Sequence, residues 1–189
     1  MQRPLFLTGM MGCGKSTVGR LLAHELGAPF IDLDRRIERI FGVTVEALFA
    51  RGEDDFRACE RGALLGLLDE PAFAAREAVV ATGGGVVVDP RNRADMARAG
   101  VVVHLDVPVD ELARRVEGEG GRPLLDGSTI EVRRRLGELL AARSHAYRAA
   151  DLTVDGRGTP EQVAGRIRAA LRHLSGGESS WSGEDRNIV

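Results

Sequence analysis

The chain has 189 residues, a formal net charge of −2, 43% hydrophobic residues and two cysteines. This length suits one domain that buries roughly 70% of its unfolded surface. A net charge of −2 excludes an overall positive potential that would attract nucleic acid or an anionic membrane. No apolar segment is close to the ~20 residues that a helix needs to span a bilayer. Cys13 and Cys59 lack metal-ligand or disulfide-framework spacing, and glycines interrupt the N-terminal apolar run where a signal peptide would continue. We therefore expect a cytoplasmic protein, a monomer, without nucleic-acid or membrane partners.

The first motif is a glycine-rich loop, Gly9 to Ser16, with the pattern G-x-x-x-x-G-K-S. The apolar run at residues 5–7 predicts a strand before it, and a helical apolar pattern that ends at Gly27 follows it. Glycines let such a loop curl around an anion, and the helix N-terminus adds unpaired N–H donors. The sequence therefore predicts a nucleoside-triphosphate site, with Lys15 at the β- and γ-phosphates and Ser16 on Mg²⁺.

Lys15 is the only lysine among 26 basic residues. A chain that otherwise uses arginine keeps a compact ammonium at the one position where a planar guanidinium would not substitute. The alternative, an incidental glycine turn before a helix, does not account for this.

A second strand is predicted over residues 29–34, and it contains Asp32 and Asp34. Because strand side chains alternate, we expect both carboxylates on one side at the strand's carboxyl end, where ligands bind in open parallel sheets. The simpler alternative is that Asp34 caps the following helix, which we expect Gly42 to close.

The next long helix carries Arg57 and Glu60, three residues apart and thus able to meet on one face. The alternative is a solvated helix face laced with charges. A buried strand then ends in Gly83, Gly84 and Gly85, which would let a ligand or another backbone approach closely; the alternative is a flexible turn.

A further buried strand contains His104, which we interpret as a core or strand-end histidine. After the next helix, residues 117–127 form a glycine-rich stretch with Arg122 on its C-terminal side. A mobile segment that carries an arginine is typical of a lid that closes over phosphates. A surface loop with an incidental arginine is an equal alternative.

Strands alternate with helices to the end of the chain, with a long arginine-rich helix containing Arg143 and a final helix that begins at Pro160. This order predicts a three-layer α/β/α domain over residues 1–174 around a five-stranded parallel sheet. Residues 175–189 are rich in Ser, Gly and charge, which predicts a disordered tail.

The chain is short, its central strand ends in glycines where a motor protein has a Walker-B aspartate, and it carries a candidate lid arginine. These features favour a small-molecule kinase. The candidate aspartates can accept hydrogen bonds from hydroxyl groups, and the candidate arginines can bind a carboxylate. Together they predict that the phosphate acceptor is a small polyol that carries a carboxylate.

From about Pro4 to Leu174 the sequence resembles the shikimate kinases. The resemblance rests on the ordered motifs GMMGCGKST, DLD, FRxxE, GGG, RPLL and RxxxYR. It implies transfer of phosphate from ATP to shikimate, giving ADP and shikimate 3-phosphate, a step toward chorismate and the aromatic amino acids.

The resemblance also implies roles for individual residues. Lys15, Asp34 and Arg122 would be catalytic; Asp34, Arg57, Gly83, Gly84, Gly85 and Arg143 would bind shikimate; and Ser16 and Asp32 would hold Mg²⁺. The nucleotide would bind Gly12, Cys13, Gly14, Lys15, Ser16, Thr17, Arg115, Arg122 and Arg157. The competing hypotheses are a gluconate or nucleoside-monophosphate kinase of the same fold, and a nucleotide-binding regulatory module without catalysis.

Overall fold

The structure is a computed structural model that describes residues 3–71, 73, 77–116 and 129–176. The predicted lid with Arg122, and residues 177–189 of the predicted tail, lie outside the described residues. The predicted tail begins two residues too early, because the last helix runs to Gly176.

The strands are β1 (Leu5–Thr8), β2 (Phe30–Asp32), β3 (Val79–Ala81), β4 (Val101–Asp106) and β5 (Leu152–Asp155). The helices are α1 (Lys15–Leu26), α2 (Leu33–Phe41), α3 (Val45–Arg51), α4 (Glu53–Leu68), α5 (Pro90–Ala99), α6 (Val109–Val116), α7 (Thr129–Tyr147) and α8 (Pro160–Gly176). A short 3₁₀ turn follows the glycine run at Val86–Val88.

The five strands form one parallel sheet in the order β2-β3-β1-β4-β5. β1 is central because it pairs with β3 on one side and with β4 on the other, with Leu5 opposite both Val79 and Val101. The predicted parallel sheet is therefore confirmed. Its carboxyl edge carries the phosphate loop after β1, α2 after β2 and the glycine run after β3.

The core is one continuous apolar cluster to which the strands and their flanking helices contribute. All four residues of β1 are buried, as expected for a strand covered on both faces. Leu22 of α1 and Ile167 of α8 are fully buried where these two helices pack together, and Leu64 and Leu136 are fully buried from α4 and α7. The buried sheet holds the loops at its carboxyl edge on a rigid base.

The predicted second strand is wrong at its end. β2 stops at Asp32, and the Asp32 carboxylate caps α2 by accepting a hydrogen bond from the Arg35 backbone N–H (3.3 Å). Asp34 lies in the first turn of α2 and is not the cap. Leu33 and Ile37, four residues apart and fully buried, give this segment the helical period, which prevails over the strand alternation that we expected. The two aspartates therefore do not share a strand face.

The other predicted boundaries agree with the structure to within a few residues. α1 and α2 end at Gly27 and Gly42, as predicted. Gly52 separates α3 from α4, and the acidic residues that follow it occupy the first turn of α4. Across the described ranges, no helix combines the length and the apolar character needed to cross a membrane.

Candidate active site

The loop between β1 and α1 has the backbone of an anion cradle. Gly9, Gly12 and Gly14 have φ angles of 141°, 77° and 96°, which residues other than glycine rarely adopt. A β-carbon at Gly12 would also lie 2.7 Å from Val116 Cγ2, so the loop packs closely against α6. α1 begins at Lys15 without a side-chain cap, which leaves its first N–H groups directed toward a ligand.

Lys15 lies along this loop. Its Nζ donates hydrogen bonds to the carbonyls of Gly9 (2.8 Å) and Met10 (3.0 Å) and lies 3.6 Å from Cys13 Sγ. The ammonium is therefore held at the rim of the cradle, within the loop that would surround the phosphates.

Ser16 and Asp32 bring two oxygen ligands together behind the cradle. The Ser16 hydroxyl donates to Asp32 Oδ2 at 2.7 Å. Hydroxyl and carboxylate oxygens are hard ligands of the kind that Mg²⁺ uses, usually one or two from the protein with phosphates and waters completing the shell. Within the described part of the chain, no group of three or more His, Cys, Asp or Glu residues could hold a metal ion.

Asp34 meets the glycine run in the part of the cleft where we expect the acceptor. A β-carbon at Gly83 would lie 2.8 Å from Asp34 Oδ1 and 2.7 Å from Glu60 Oε1. Both carboxylates thus pack against position 83, and a larger residue there would displace them. Asp34 reaches the cleft from α2, and Gly83 reaches it from the end of β3.

Arg57 of α4 lines the part of the cleft where we expect the acceptor. It forms ion pairs with Glu60 (2.7 Å) and Glu53 (3.0 Å), and its guanidinium lies 5.7 Å and 5.2 Å from the ring centroids of Phe49 and Phe56. Burial opposes its charge, but the two glutamates raise the pKa of Arg57 above its usual value. The predicted contact of Arg57 with Glu60 on one helix face is confirmed, and the guanidinium stays charged.

Glu60 is a functional candidate that sequence reasoning used only as a neighbour of Arg57. Its side chain is 1% exposed, and Oε1 has no hydrogen-bond partner among the described residues. Burial raises the pKa of Glu60, the charges of Arg57 and Arg143 oppose this, and Asp34 reinforces it. The i, i+3 spacing after Arg57 indicated the ion pair, but only the fold shows that Glu60 places a second carboxylate beside Asp34.

Arg143 and Tyr147 project from α7 toward the middle of the glycine run. Arg143 Nη1 lies 3.4 Å from the Gly84 carbonyl oxygen, and the Tyr147 hydroxyl donates to the same oxygen at 2.6 Å. Arg143 is 8% exposed and still lines the cleft. His104 stacks on Tyr147 with ring centroids 4.7 Å apart. Burial lowers the pKa of His104 to about 4, which agrees with its interpretation as a core histidine.

The opposite flank carries Arg115 and Arg157. Arg115 Nε pairs with Glu111 (2.8 Å), and its Nη2 donates to the Gly156 carbonyl (3.1 Å). Arg157 pairs with Asp155 at 2.8 Å, where hydrogen bonds from Arg157 lower the pKa of Asp155 to about 2. The two arginines therefore sit on the side of β4 and β5, away from Asp34 and Arg57.

These groups share one cleft with a volume of about 970 Å³, large enough for two small ligands. Its lining includes the predicted site residues Gly12, Cys13, Gly14, Lys15, Ser16, Thr17, Asp34, Arg57, Gly83, Gly84, Gly85, Arg115, Arg143 and Arg157. Asp32 is not part of the lining and reaches the site through Ser16. Arg122 lies outside the described residues. The phosphate cradle and the acceptor side therefore open onto the same space.

A family model described as shikimate kinase matches residues 11–172. This chain belongs to the shikimate kinase family. The shikimate kinase of Geobacter metallireducens is 43% identical over 172 residues, which cover 89% of this chain and 92% of that protein. The shikimate kinase of Gloeobacter violaceus is 48% identical over 162 residues, 85% of this chain and 87% of that protein.

Solved structures agree with this assignment. Shikimate kinase from Acinetobacter baumannii in complex with shikimate superposes with a TM-score of 0.83 at 34% identity, covering 94% of this chain and 96% of that chain. A gluconokinase from Sinorhizobium meliloti, with a TM-score of 0.59 at 19% identity over 95% of this chain and 98% of that chain, shares the fold alone. The predictions of the P-loop kinase fold, of an ATP-dependent kinase and of its family are confirmed.

Proposed function

We propose that the cleft transfers the γ-phosphoryl group of ATP to a hydroxyl of shikimate, giving ADP and shikimate 3-phosphate. The observation that carries this proposal is the shared cleft, with an anion cradle in one half and a carboxylate, an arginine and a glycine run in the other. Phosphoryl transfer needs positioning and charge neutralisation more than covalent chemistry, and both halves supply these.

On the donor side, the backbone N–H groups from Gly12 to Thr17 hold the β- and γ-phosphates at the start of α1. Lys15 Nζ, which donates to the Gly9 and Met10 carbonyls, turns to the transferring phosphate and neutralises the charge that develops there. Arg115 and Arg157 flank the adenine on the opposite side of the cleft from the acceptor. Arg122 closes over the phosphates from the lid, as the resemblance implies.

Ser16 would ligate Mg²⁺, and Asp32 would support the ion through water, as the resemblance implies. The 2.7 Å hydrogen bond between Ser16 Oγ and Asp32 Oδ2 supports this assignment, since it aligns two hard oxygen ligands beside the phosphates. When bound there, Mg²⁺ would neutralise part of the charge of the phosphates.

On the acceptor side, Asp34 accepts a hydrogen bond from the attacking hydroxyl and orients its oxygen toward the γ-phosphorus. Arg57 and Arg143 bind the shikimate carboxylate, and Gly83, Gly84 and Gly85 offer backbone contacts. The pairing of Arg57 with Glu60 and Glu53 supports this role, because it holds the guanidinium in one orientation before the acceptor arrives.

The cytoplasmic location, the monomeric state and the absence of nucleic-acid or membrane partners stay predictions from composition and charge. The monomeric state is open to direct measurement. Gel filtration coupled to light scattering, with and without ATP, tests it.

A coupled ADP-release assay tests the reaction directly. We expect turnover with shikimate and none with gluconate or a nucleoside monophosphate, with the product identified by mass spectrometry as a singly phosphorylated shikimate. ATP binding without phosphorylation of shikimate would reject the proposed function and favour a regulatory module.

A further inference from the structure

Tyr147 stands at the junction of the two halves of the cleft. Its side chain is 1% exposed at the C-terminal end of α7. The hydroxyl donates to the Gly84 carbonyl at 2.6 Å and lies 3.5 Å from Met10 Sδ. Gly84 is the middle of the glycine run on the acceptor side, and Met10 belongs to the phosphate loop. One hydroxyl therefore contacts both loops.

The Tyr147 ring is fixed by its neighbours. It stacks on His104 of β4 with centroids 4.7 Å apart and an interplanar angle of 6°. His104 pairs in register with Thr8, the residue before the phosphate loop, and a β-carbon at Gly9 would lie 3.5 Å from His104 Nδ1. The ring thus rests on the strands from which the phosphate loop begins, and its hydroxyl has a fixed position.

Gly84 also lies close to the phosphate loop. A β-carbon at Gly84 would lie 3.4 Å from the Met11 nitrogen and 3.5 Å from the Gly9 oxygen. Only a methyl-sized space therefore separates the two loops at Gly84, and Tyr147 holds the carbonyl of this residue. Arg143 also approaches this carbonyl, but at 3.4 Å its contact is the longer one. Tyr147 keeps the carbonyl bonded when Arg143 turns to an acceptor carboxylate.

We propose that Tyr147 is a positioning residue that fixes the spacing between the glycine run and the phosphate loop through its hydrogen bond to the Gly84 carbonyl. This inference rests on the proposed function and adds to it a residue that touches neither substrate. Transfer between two bound reactants is sensitive to such spacing, because a misplacement of about 1 Å costs on the order of 100-fold in rate. Burial raises the pKa of Tyr147 to about 12, so the hydroxyl remains a donor across the working pH range.

The kinetic test is Tyr147→Phe, which keeps the ring on His104 and removes only the hydroxyl. We expect kcat with shikimate to fall at least about fivefold, since a buried carbonyl loses its shorter hydrogen bond, while the KM for ATP stays within twofold. A variant whose kcat and KM values all lie within twofold of wild type would overturn the inference.

The matched control is Asp151→Ala, which also removes one bond to a buried backbone group. Asp151 Oδ2 accepts from the Val102 N–H (2.8 Å) near the amino end of β4, opposite the cleft. We expect this variant to melt at a lower temperature with an unchanged kcat. If it lowers kcat as much as Tyr147→Phe does at an equal loss of Tm, the effect of Tyr147 is general stability and the inference falls.

Tyr147 is the only tyrosine of the chain, which allows a second readout. Protein labelled with ¹³C at the tyrosine ζ carbon gives one resonance. We expect shikimate alone and Mg²⁺–ADP alone each to shift it, because the hydroxyl contacts a loop of either half. A resonance that neither ligand moves would overturn the inference. A wild type that does not phosphorylate shikimate would instead overturn the proposed function, and the inference with it.

Discussion

The guanidinium of Arg57 fills the space beside Gly85 that a side chain would take, so a β-carbon at position 85 would overlap Nη1 of Arg57. The backbone of Gly85, with φ −106° and ψ −5°, suits any residue. Glycine is therefore needed at position 85 because Arg57 leaves no room for a β-carbon, and not because the backbone conformation demands it.

Gly85→Ala should displace Arg57 and leave the fold intact, because the far end of a long side chain yields more easily than backbone. We expect the shikimate KM to rise about tenfold or more, the cost of losing a charge-assisted hydrogen bond, with Tm nearly unchanged. Steady-state kinetics and thermal melts measure both. Gly62→Ala is the control, since Gly62 lies in α4 with no atom within 4 Å of the added carbon. Wild-type KM in Gly85→Ala would show that Arg57 does not bind the acceptor.

Arg57→Ala should weaken acceptor binding by about 10- to 100-fold and leave the ATP KM within twofold, because the lost hydrogen bonds are charge-assisted. The methyl ester of shikimate sharpens the test. Wild type should prefer the free acid strongly, and the variant should lose most of that preference. A rise in the ATP KM alone would mean that Arg57 serves the nucleotide.

Lys15→Met should lower kcat by at least ~100-fold, the usual cost of removing one preorganised charge from a transition state. Isothermal titration should still detect shikimate, since Lys15 bonds to the phosphate loop and not to the acceptor side. Lys15→Arg tests the geometry of the cation, and we expect it to rescue little because a planar fork does not fit where a compact ammonium binds. A kcat near wild type in Lys15→Met would contradict its role.

Asp32→Asn should shift the Mg²⁺ dependence of turnover to higher concentration. Asparagine caps a helix about as well as aspartate, so the bond to the Arg35 N–H survives while the charge beside Ser16 is lost. Mg²⁺ titration at fixed ATP measures the midpoint. Asp34→Asn is the comparison, and it should reduce kcat without moving that midpoint. Equal midpoints in Asp32→Asn and wild type would remove Asp32 from the metal site.

His104 should make the protein less stable below neutral pH. Burial lowers its pKa from 6.5 to about 4, despite Asp106 Oδ1 at 4.0 Å, and Lys15 adds to the lowering. The unfolded chain takes up a proton near pH 6.5 and the native chain only near pH 4. Stability is thus fully present above pH 6.5 and is lost as the pH falls toward 4, by about 3 kcal/mol in all.

The measurement for His104 is urea unfolding across this pH range, for wild type and His104→Phe. Phenylalanine keeps the stack on Tyr147 and replaces an imidazole whose Nδ1 has no hydrogen-bond partner in the described part of the chain. We expect the variant to lose less stability on acidification, since only the other groups still titrate. If the free energy of unfolding falls equally with pH in wild type and in His104→Phe, the loss of stability in acid comes from the carboxylates.

The sequence predicted most of the sheet because its signals are local. β1, β3 and β4 are short apolar runs, and Gly27 and Gly42 end α1 and α2 as expected. β2 was the exception, since two aspartates around a leucine fit a strand end as well as a capped helix. The burial of Leu33 and Ile37 decides between them, and burial depends on the whole fold.

Site residues could be predicted from the sequence where they belong to a recognisable motif. The phosphate loop, Arg57 and the glycine run converge on one cleft, as their positions at strand ends suggested. Glu60 and Tyr147 were missed as functional candidates because their importance comes from contacts across the fold, with position 83 and with Gly84. A carboxylate in a helix and a tyrosine near a helix end carry no such signal on their own.

β1 lies at the centre of the sheet, so the site residues on its two sides come from different segments of the chain. In the proposed function, the β2–β3 flank supplies Asp34, Arg57 and the glycine run to the acceptor, while the β4–β5 flank supplies Arg115 and Arg157 to the adenine. Arg143 of α7 is the one acceptor contact that comes from the second flank. Substitutions confined to residues 33–85 would therefore change most acceptor contacts and leave the nucleotide contacts in place, which makes the same scaffold adaptable to other alcohols.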